Sequence, residues 1–378
     1  MMKIPLSAPD IEEWEVERVA EVLRSGRLSL GPKLSEFERA VAAYVGAADG
    51  VAVNSGTSGL HLAVRALGLG PGDEVITTPF SFIAPANAIL YERATPVFVD
   101  IDAATLNIDP ARIEAAVTPR TRALMIVHTF GRPAAMSSIM DIAQRHRLLV
   151  IEDACEAIGA ETGGHKVGAI GDAGVFAFYP NKQLTTGEGG IIVTNDAGMA
   201  ARMRSMRNQG RAQSADWCEH QELGFNYRLP EVSCALGLSQ LARVESILER
   251  REAVARAYSL RLSAEPDLIL PEMLIPAGRI SWFVYVVRLS DRFGPRDRDW
   301  VASELQARGI GCARYFAPIH LQPFYRESFG HRAGAFPVAE RVAERTLALP
   351  FYNRMTDEAL DEVSRTLLEL IDVRRKAL

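Results

Sequence analysis

Apolar positions recur at helical spacing over residues 10–25 (Ile11, Trp14, Val16, Val19, Val22, Leu23) and stop at Ser25-Gly26. Residues 34–45 repeat the pattern with Phe37, Val41, Ala42 and Tyr44 before Gly46. This period predicts two amphipathic helices. Short apolar runs follow at 74–78, 96–99, 123–127, 148–152 and 174–178, with helical stretches at 58–68, 83–92 and 137–147. Such alternation predicts βαβ units and a buried, mostly parallel sheet. A long amphipathic helix is predicted from Pro230 to about Ala257.

Beyond that helix the pattern changes. Pro266, Pro271 and Pro276 punctuate a turn-like stretch, residues 282–289 (WFVYVVRL) read as a strand, and 298–308, 337–346 and 356–373 read as helices. The expectation is an α/β domain over residues 1–250 and a smaller C-terminal α+β domain over 251–378, with the boundary near 250–260. A length of 378 residues suits two domains.

Composition narrows the function classes. Hydrophobic residues make up 48% and charged residues 24%, and mean hydropathy is +0.02, values of a folded soluble chain rather than a disordered one. Lys and Arg total 42 against 47 Asp and Glu, a net charge of −5. That balance supplies no electrostatic footprint for nucleic acid or an anionic membrane. Cys155, Cys218, Cys234 and Cys312 are scattered, with no CxxC pair; reduced thiols are expected, and no metal site. No run of about 18 apolar residues occurs and the first residues lack a secretory pattern, so the expected location is cytoplasmic.

Three local features carry chemistry. The first is NSGTSGLHLAVRAL, residues 54–67, where Gly56, Thr57, Ser58 and Gly59 open directly into a helix. Free N–H groups and hydroxyls at a helix start form a phosphate cradle, although such a turn alone is more often a simple cap. The second is LLVIEDACEAIGA, residues 148–160, an apolar strand ending in Glu152 and Asp153. Its carboxyl edge is where α/β sheets place ligands, and an acid there can pair with a cationic ligand group. The third is GVFAFYPNKQLTTGEGGIIVTND, residues 174–196, where Lys182 sits in a turn between an aromatic-ended strand and another apolar strand. A lysine among apolar neighbours is suited to forming an imine. Cradle, acid and lysine together match what pyridoxal 5'-phosphate (PLP) requires.

At this point the chain resembles the DegT/DnrJ/StrS aminotransferases of nucleotide-sugar biosynthesis. The resemblance runs nearly end to end, through SGRLSLGPKLSEFE, NSGTSGLHLAV, GPGDEVITTPFSFIAPANAI, VHTFGRPA, IEDACEAIGA, FAFYPNKQLTTGEGG, GFNYRLPEVSCALGLSQL and YFAPIHLQPFY. It implies a fold-type I, aspartate-aminotransferase-like PLP enzyme with a large, mixed, mostly parallel sheet. Residue by residue it implies Lys182 as the imine-forming lysine, Asp153 as the acid at the pyridine nitrogen, and Phe82 as the aromatic stacked on the ring. Gly56, Thr57 and Ser58 match the phosphate turn. Asn226 matches an asparagine that reaches the phosphate across a dimer interface, which implies a homodimer with shared sites. Tyr179 and His320 are candidate substrate contacts.

The resemblance implies cycling between PLP and pyridoxamine 5'-phosphate, with an amino-acid donor (most often L-glutamate) and a nucleotide-linked keto-sugar as partners. Departures stand beside it. Members often have Ser at Ala177, many have Gln at Glu156 near the cofactor's phenolic oxygen, and some have His at Phe283. A carboxylate at 156 would have to share a proton there. Related sugar 3-dehydratases carry His in place of the lysine, so Lys182 favours transamination over dehydration. An intact Lys182, Asp153 and phosphate turn argues against a purely regulatory protein. Keto-cyclitols and related rings remain alternative acceptors.

Overall fold

The computed structural model describes residues 3–211 and 219–378; Cys218 lies outside the described residues. The strands are β1 (Asp49–Val53), β2 (Glu74–Thr77), β3 (Thr95–Phe98), β4 (Thr121–Val127), β5 (Leu149–Asp153), β6 (Glu161–Thr162), β7 (His165–Lys166), β8 (Ala173–Ala177), β9 (Gly190–Thr194), β10 (Leu268–Ile269), β11 (Gly278–Arg279), β12 (Tyr285–Leu289) and β13 (Thr346–Leu349). Seven of them form one sheet in the order β1-β9-β8-β5-β4-β2-β3. Pairing is parallel from β3 through β8, and β9 alone runs against its neighbours β8 and β1. The sheet is therefore mixed and mostly parallel, as expected.

The strands predicted from apolar runs all form. β1 carried no prediction, because DGVAV is short and opens with two turn-forming residues. Its apolar members Val51, Ala52 and Val53 are nevertheless fully buried. Helices cover both faces: Phe37 and Val41 of Pro32–Val45 pack on one side, while Leu60, Ala63 and Val64 of Gly56–Ala66 pack on the other. This double cover explains why the central strands read as unbroken apolar runs.

Three elements differ from expectation. The long helix after Pro230 is two helices, Glu231–Ala242 and Val244–Leu262, separated at Arg243 (φ −120°, ψ 19°). Arg243 donates to Asp10 at 2.9 Å and Glu15 at 2.8 Å, anchors that hold its side chain toward the N-terminal segment. The stretch 337–346 forms only Pro337–Ala343, and Thr346 starts β13. Of the run 282–289, only Tyr285–Leu289 is a strand; the carbonyls of Trp282 and Phe283 are taken by the Arg251 guanidinium instead of a neighbouring strand.

The second sheet, β10-β12-β13, packs its own core with Tyr258 and Leu262 of the preceding helix and Leu367 and Leu370 of Asp357–Lys376. The helix Val244–Leu262 runs unbroken through residue 250. β11 pairs back with β6.

Candidate active site

Glu152 and Asp153 are neighbours on β5, and side-chain alternation sends them to opposite faces. Glu152 is enclosed by the N–H groups of Gly168 (2.8 Å), Ile170 (2.8 Å) and Gly171 (2.7 Å) and by His128 Nε2 (3.0 Å). The Ala134 N–H donates to His128 Nδ1 at 3.0 Å, so Nε2 carries the ring proton and donates to Glu152. Burial alone would raise the Glu152 pKa, but His128 and the backbone donors leave it below the ordinary range. This acid is structural.

Asp153 faces a cavity of about 420 Å³ at the carboxyl edge of the sheet. It accepts the Cys155 N–H at 3.1 Å and has no ion pair among the described residues. Burial pushes its pKa up, and Cys155, Lys182 and His128 only partly counter this. Cys155, beside it, has a thiol pushed well up by burial and then by the Asp153 charge.

Lys182 enters the same cavity from the turn after β8, where its N–H donates to the Tyr179 carbonyl at 2.9 Å. Its Nζ lies 3.4 Å from Glu156 Oε1 and 4.0 Å above the centre of the Phe283 ring. Glu156 Oε2 accepts the Phe130 N–H at 3.0 Å. Burial raises the Glu156 pKa, opposed first by Lys182.

Gly56 and Thr57 line the cavity where the helix Gly56–Ala66 begins. The first intrahelical bond is Gly59 N–H to the Ser55 carbonyl, so the Gly56 and Thr57 N–H groups stand free of the ladder. A Cβ at Gly56 would lie 2.7 Å from Ala177 Cβ and 2.9 Å from Cys155 Sγ, so only glycine fits. Phe82, 61% exposed, and Tyr179, 51% exposed, also line the cavity.

Seven of the sequence candidates thus meet: Gly56, Thr57, Phe82, Asp153, Glu156, Tyr179 and Lys182. Three do not. The Ser58 N–H is bonded to Ser55 Oγ at 3.1 Å and its hydroxyl to Asn54 at 2.7 Å, which is capping within the turn. Asn226 is exposed and outside the cavity. His320 is fully buried, with Nε2 3.0 Å from Glu340, and packs on Phe336. Its burial comes from the aromatic and acid contacts of its own surroundings rather than from the cavity.

Sequence reasoning missed Phe283, Tyr315 and Phe316 as cavity walls. Tyr315 and Phe316 open the segment YFAPIHLQPFY, whose histidine is the more distinctive residue chemically. Among the described residues no group of three or more His, Cys, Asp or Glu side chains could hold a metal ion.

The residues present fit PLP. A buried carboxyl without a cationic partner suits a protonated ring nitrogen, an exposed aromatic face flanks the space, and free N–H groups suit a phosphate. Comparison with known proteins agrees. A family model described as the DegT/DnrJ/EryC1/StrS aminotransferase family matches residues 9–368. The spore coat polysaccharide biosynthesis protein SpsC of Bacillus subtilis is 40% identical over 97% of each chain. GDP-perosamine synthase of Caulobacter vibrioides is 40% identical over 98% of each. PseC of Helicobacter pylori, an aminotransferase involved in the biosynthesis of pseudoaminic acid, superposes with a TM-score of 0.94 at 29% identity, over 98% of this chain and 99% of that one. A cavity with this arrangement, on this fold and with these relatives, means that the chain belongs to the DegT/DnrJ/EryC1/StrS aminotransferase family.

Proposed function

We propose that this chain binds PLP in the cavity around Lys182 and moves an amino group from L-glutamate to the keto group of a nucleotide-linked sugar. The chain is a PLP-dependent sugar aminotransferase of amino-sugar biosynthesis, like its family. The observation that carries the cofactor assignment is the convergence of Lys182, Asp153 and the helix start at Gly56 on one cavity; the substrate classes follow the family.

When bound, PLP would supply an electron sink for negative charge developing at the donor Cα. Lys182 Nζ would take the proton from that carbon as general base and then, as general acid, deliver it to the cofactor's aldehyde carbon instead. The Asp153 carboxylate would keep a proton on the ring nitrogen, its burial strengthening the attraction. The N–H groups of Gly56 and Thr57, with the Thr57 hydroxyl, would hold the phosphate, and Phe82 would cover one face of the ring. Glu156, whose burial makes it hold a proton more tightly than an exposed glutamate, would share one beside the ring oxygen and Lys182 Nζ.

Tyr179, exposed at the cavity, is the proposed sugar contact. Asn226, exposed and outside its own cavity, is assigned to the phosphate of a second copy, which makes the working unit a homodimer. His320, buried against Glu340 and outside its own chain's cavity lining, is given no role in this reading. Residues 1–250 would carry the cofactor cradle, and residues 251–378 would contribute Phe283, Tyr315 and Phe316 as a cover. The nucleotide-linked substrate class supports the cytoplasm as the place of the reaction.

Adding PLP to the purified protein is expected to give a visible absorbance band that L-glutamate bleaches; Lys182→Ala loses the band and turnover while keeping a cooperative melt. Full activity of Lys182→Ala on a panel of nucleotide-linked and free keto rings would overturn the assignment. Bleaching by another amino acid but not glutamate would overturn only the donor.

A further inference from the structure

Arg251 is a charged side chain with almost no water around it, 3% exposed in the middle of Val244–Leu262. Burial works against its charge, and Asp10 only partly offsets this. Among the described residues it has no carboxylate within ion-pair distance. Its partners are neutral oxygens: Nε donates to the Trp282 carbonyl at 2.6 Å, Nη2 to the Phe283 carbonyl at 2.7 Å, and Nη1 to Asn353 Oδ1 at 2.9 Å. Its guanidinium also lies 4.9 Å from the centre of the Phe351 ring. A buried arginine that binds only neutral oxygens loses its hydration with no opposite charge to offset the cost, so its placement calls for a reason.

The two carbonyls it grips flank Phe283, and the Phe283 ring lies 4.0 Å beneath Lys182 Nζ. The other side of the same segment is also pinned. Gln183, next to Lys182, donates its amide to the Ser281 carbonyl and hydroxyl, both at 2.9 Å, and the Ser281 N–H donates to the Gly131 carbonyl at 3.0 Å. Residues 281–283 are therefore held between the lysine turn and the long helix, without strand pairing.

We propose that Arg251 is a positioning residue for Lys182: its planar fork fixes the Trp282–Phe283 backbone so that the Phe283 face holds the Lys182 ammonium. Only a rigid fork of donors spans successive carbonyls in this way; a lysine ammonium at 251 keeps the charge and loses the span. The aromatic face attracts the ammonium and competes with its use as a nucleophile. The other ionisable groups at the cavity are Asp153, Cys155, Glu156, Tyr179, Glu188 and Tyr315, and all of them stay in place in the variants below. The inference rests on Lys182 being the reactive amine; reduction of the PLP-loaded protein with borohydride and mapping of the labelled peptide test that separately.

The test uses the full-length, cofactor-free protein and trinitrobenzenesulfonate at pH 8, with peptide mass spectrometry reporting Lys182 labelling relative to the exposed Lys376. Phe283→Leu is expected to raise that ratio roughly 3–30-fold, the range of a partly desolvated cation–aromatic contact. Phe283→Tyr, which keeps the aromatic face, holds it near wild type. Arg251→Lys raises it into the range of Phe283→Leu, and the double variant rises no further than Phe283→Leu alone. An unchanged ratio in Arg251→Lys with a lowered melting temperature would reduce Arg251 to a fold clamp and overturn the proposal. So would multiplicative effects in the double variant. If Arg251→Lys does not fold, an unchanged ratio in Phe283→Leu overturns it by itself.

Discussion

Asp153→Asn separates the folding role of the buried acid from its proposed cofactor role, because the two have opposite signs. The carboxyl is 6% exposed and accepts one backbone N–H. Burial raises its pKa, opposed in part by Cys155, Lys182 and His128. A raised folded-state value means that the folded chain holds the proton more tightly than the unfolded chain. Stability from this group is then complete below the ordinary aspartate range and is lost as pH rises through the raised value. Asparagine never ionises and keeps an oxygen for the Cys155 N–H. The cofactor-free variant should therefore gain on wild type as pH rises above the ordinary aspartate range. The gain should reach about 1–3 kcal/mol, the scale for a desolvated polar group without a full partner. Unfolding entropy of roughly 2.1 cal/mol/K per residue makes 1 kcal/mol worth about 1.3 °C in a chain of this length, so melts at pH 8 should differ by about 1–4 °C. With PLP the sign reverses: affinity falls, and turnover drops on the order of 10²–10³-fold, as for loss of one preorganised electrostatic contact. Thermal melts at several pH values, with and without PLP, supply the readout. A cofactor-free variant less stable than wild type at pH 8, or a difference that ignores pH, would refute this account of Asp153.

Phe82→Leu should leave the cofactor-free melt within about 0.5 kcal/mol, because the ring is mostly exposed, and should weaken PLP binding by roughly 2–12-fold in a fluorescence titration; equal affinity would remove the ring from the site. Gly131→Ala places a Cβ 1.7 Å from the Ser281 carbonyl oxygen and 2.9 Å from that of Glu156, at φ +84°. Left-handed backbone and overpacking against main chain together cost about 2–5 kcal/mol, visible as a lowered melting temperature with or without PLP, and an unchanged melt would mean that the segment 281–283 yields easily.

Legibility followed the range of the interactions. Lys182, Asp153 and the turn at Gly56 were readable because each sits where a strand or turn delivers it locally, within a short stretch of distinctive residues. The break at Arg243 was not readable, since the helical pattern continues across it and the cause lies at Asp10 and Glu15, more than 200 residues earlier. At Ser58 the sequence leaves the partner open, since a hydroxyl at a helix start suits a phosphate or a cap; here it bonds Asn54. At His320 it is open in the same way, since a histidine among aromatics suits a substrate or a buried pair; here it pairs with Glu340. Phe283 sits about 100 residues from Lys182 in sequence, and nothing in its own strand pattern announces the lysine above it.

The near-neutral net charge gains a sharper meaning at the cavity wall. The carboxyl groups there are Asp153, Glu156 and Glu188, and among the described residues lining it the one cationic side chain is Lys182. Like charges raise one another's proton affinity, and both Asp153 and Glu156 are shifted upward by burial. An anionic cofactor can still enter, because free N–H groups at the helix start attract a phosphate without any basic side chain. A sugar linked to a nucleoside diphosphate brings two further phosphates, and that one helix start is already assigned. Groups that meet them lie outside this lining, in line with the proposal that a second copy of the chain completes the site.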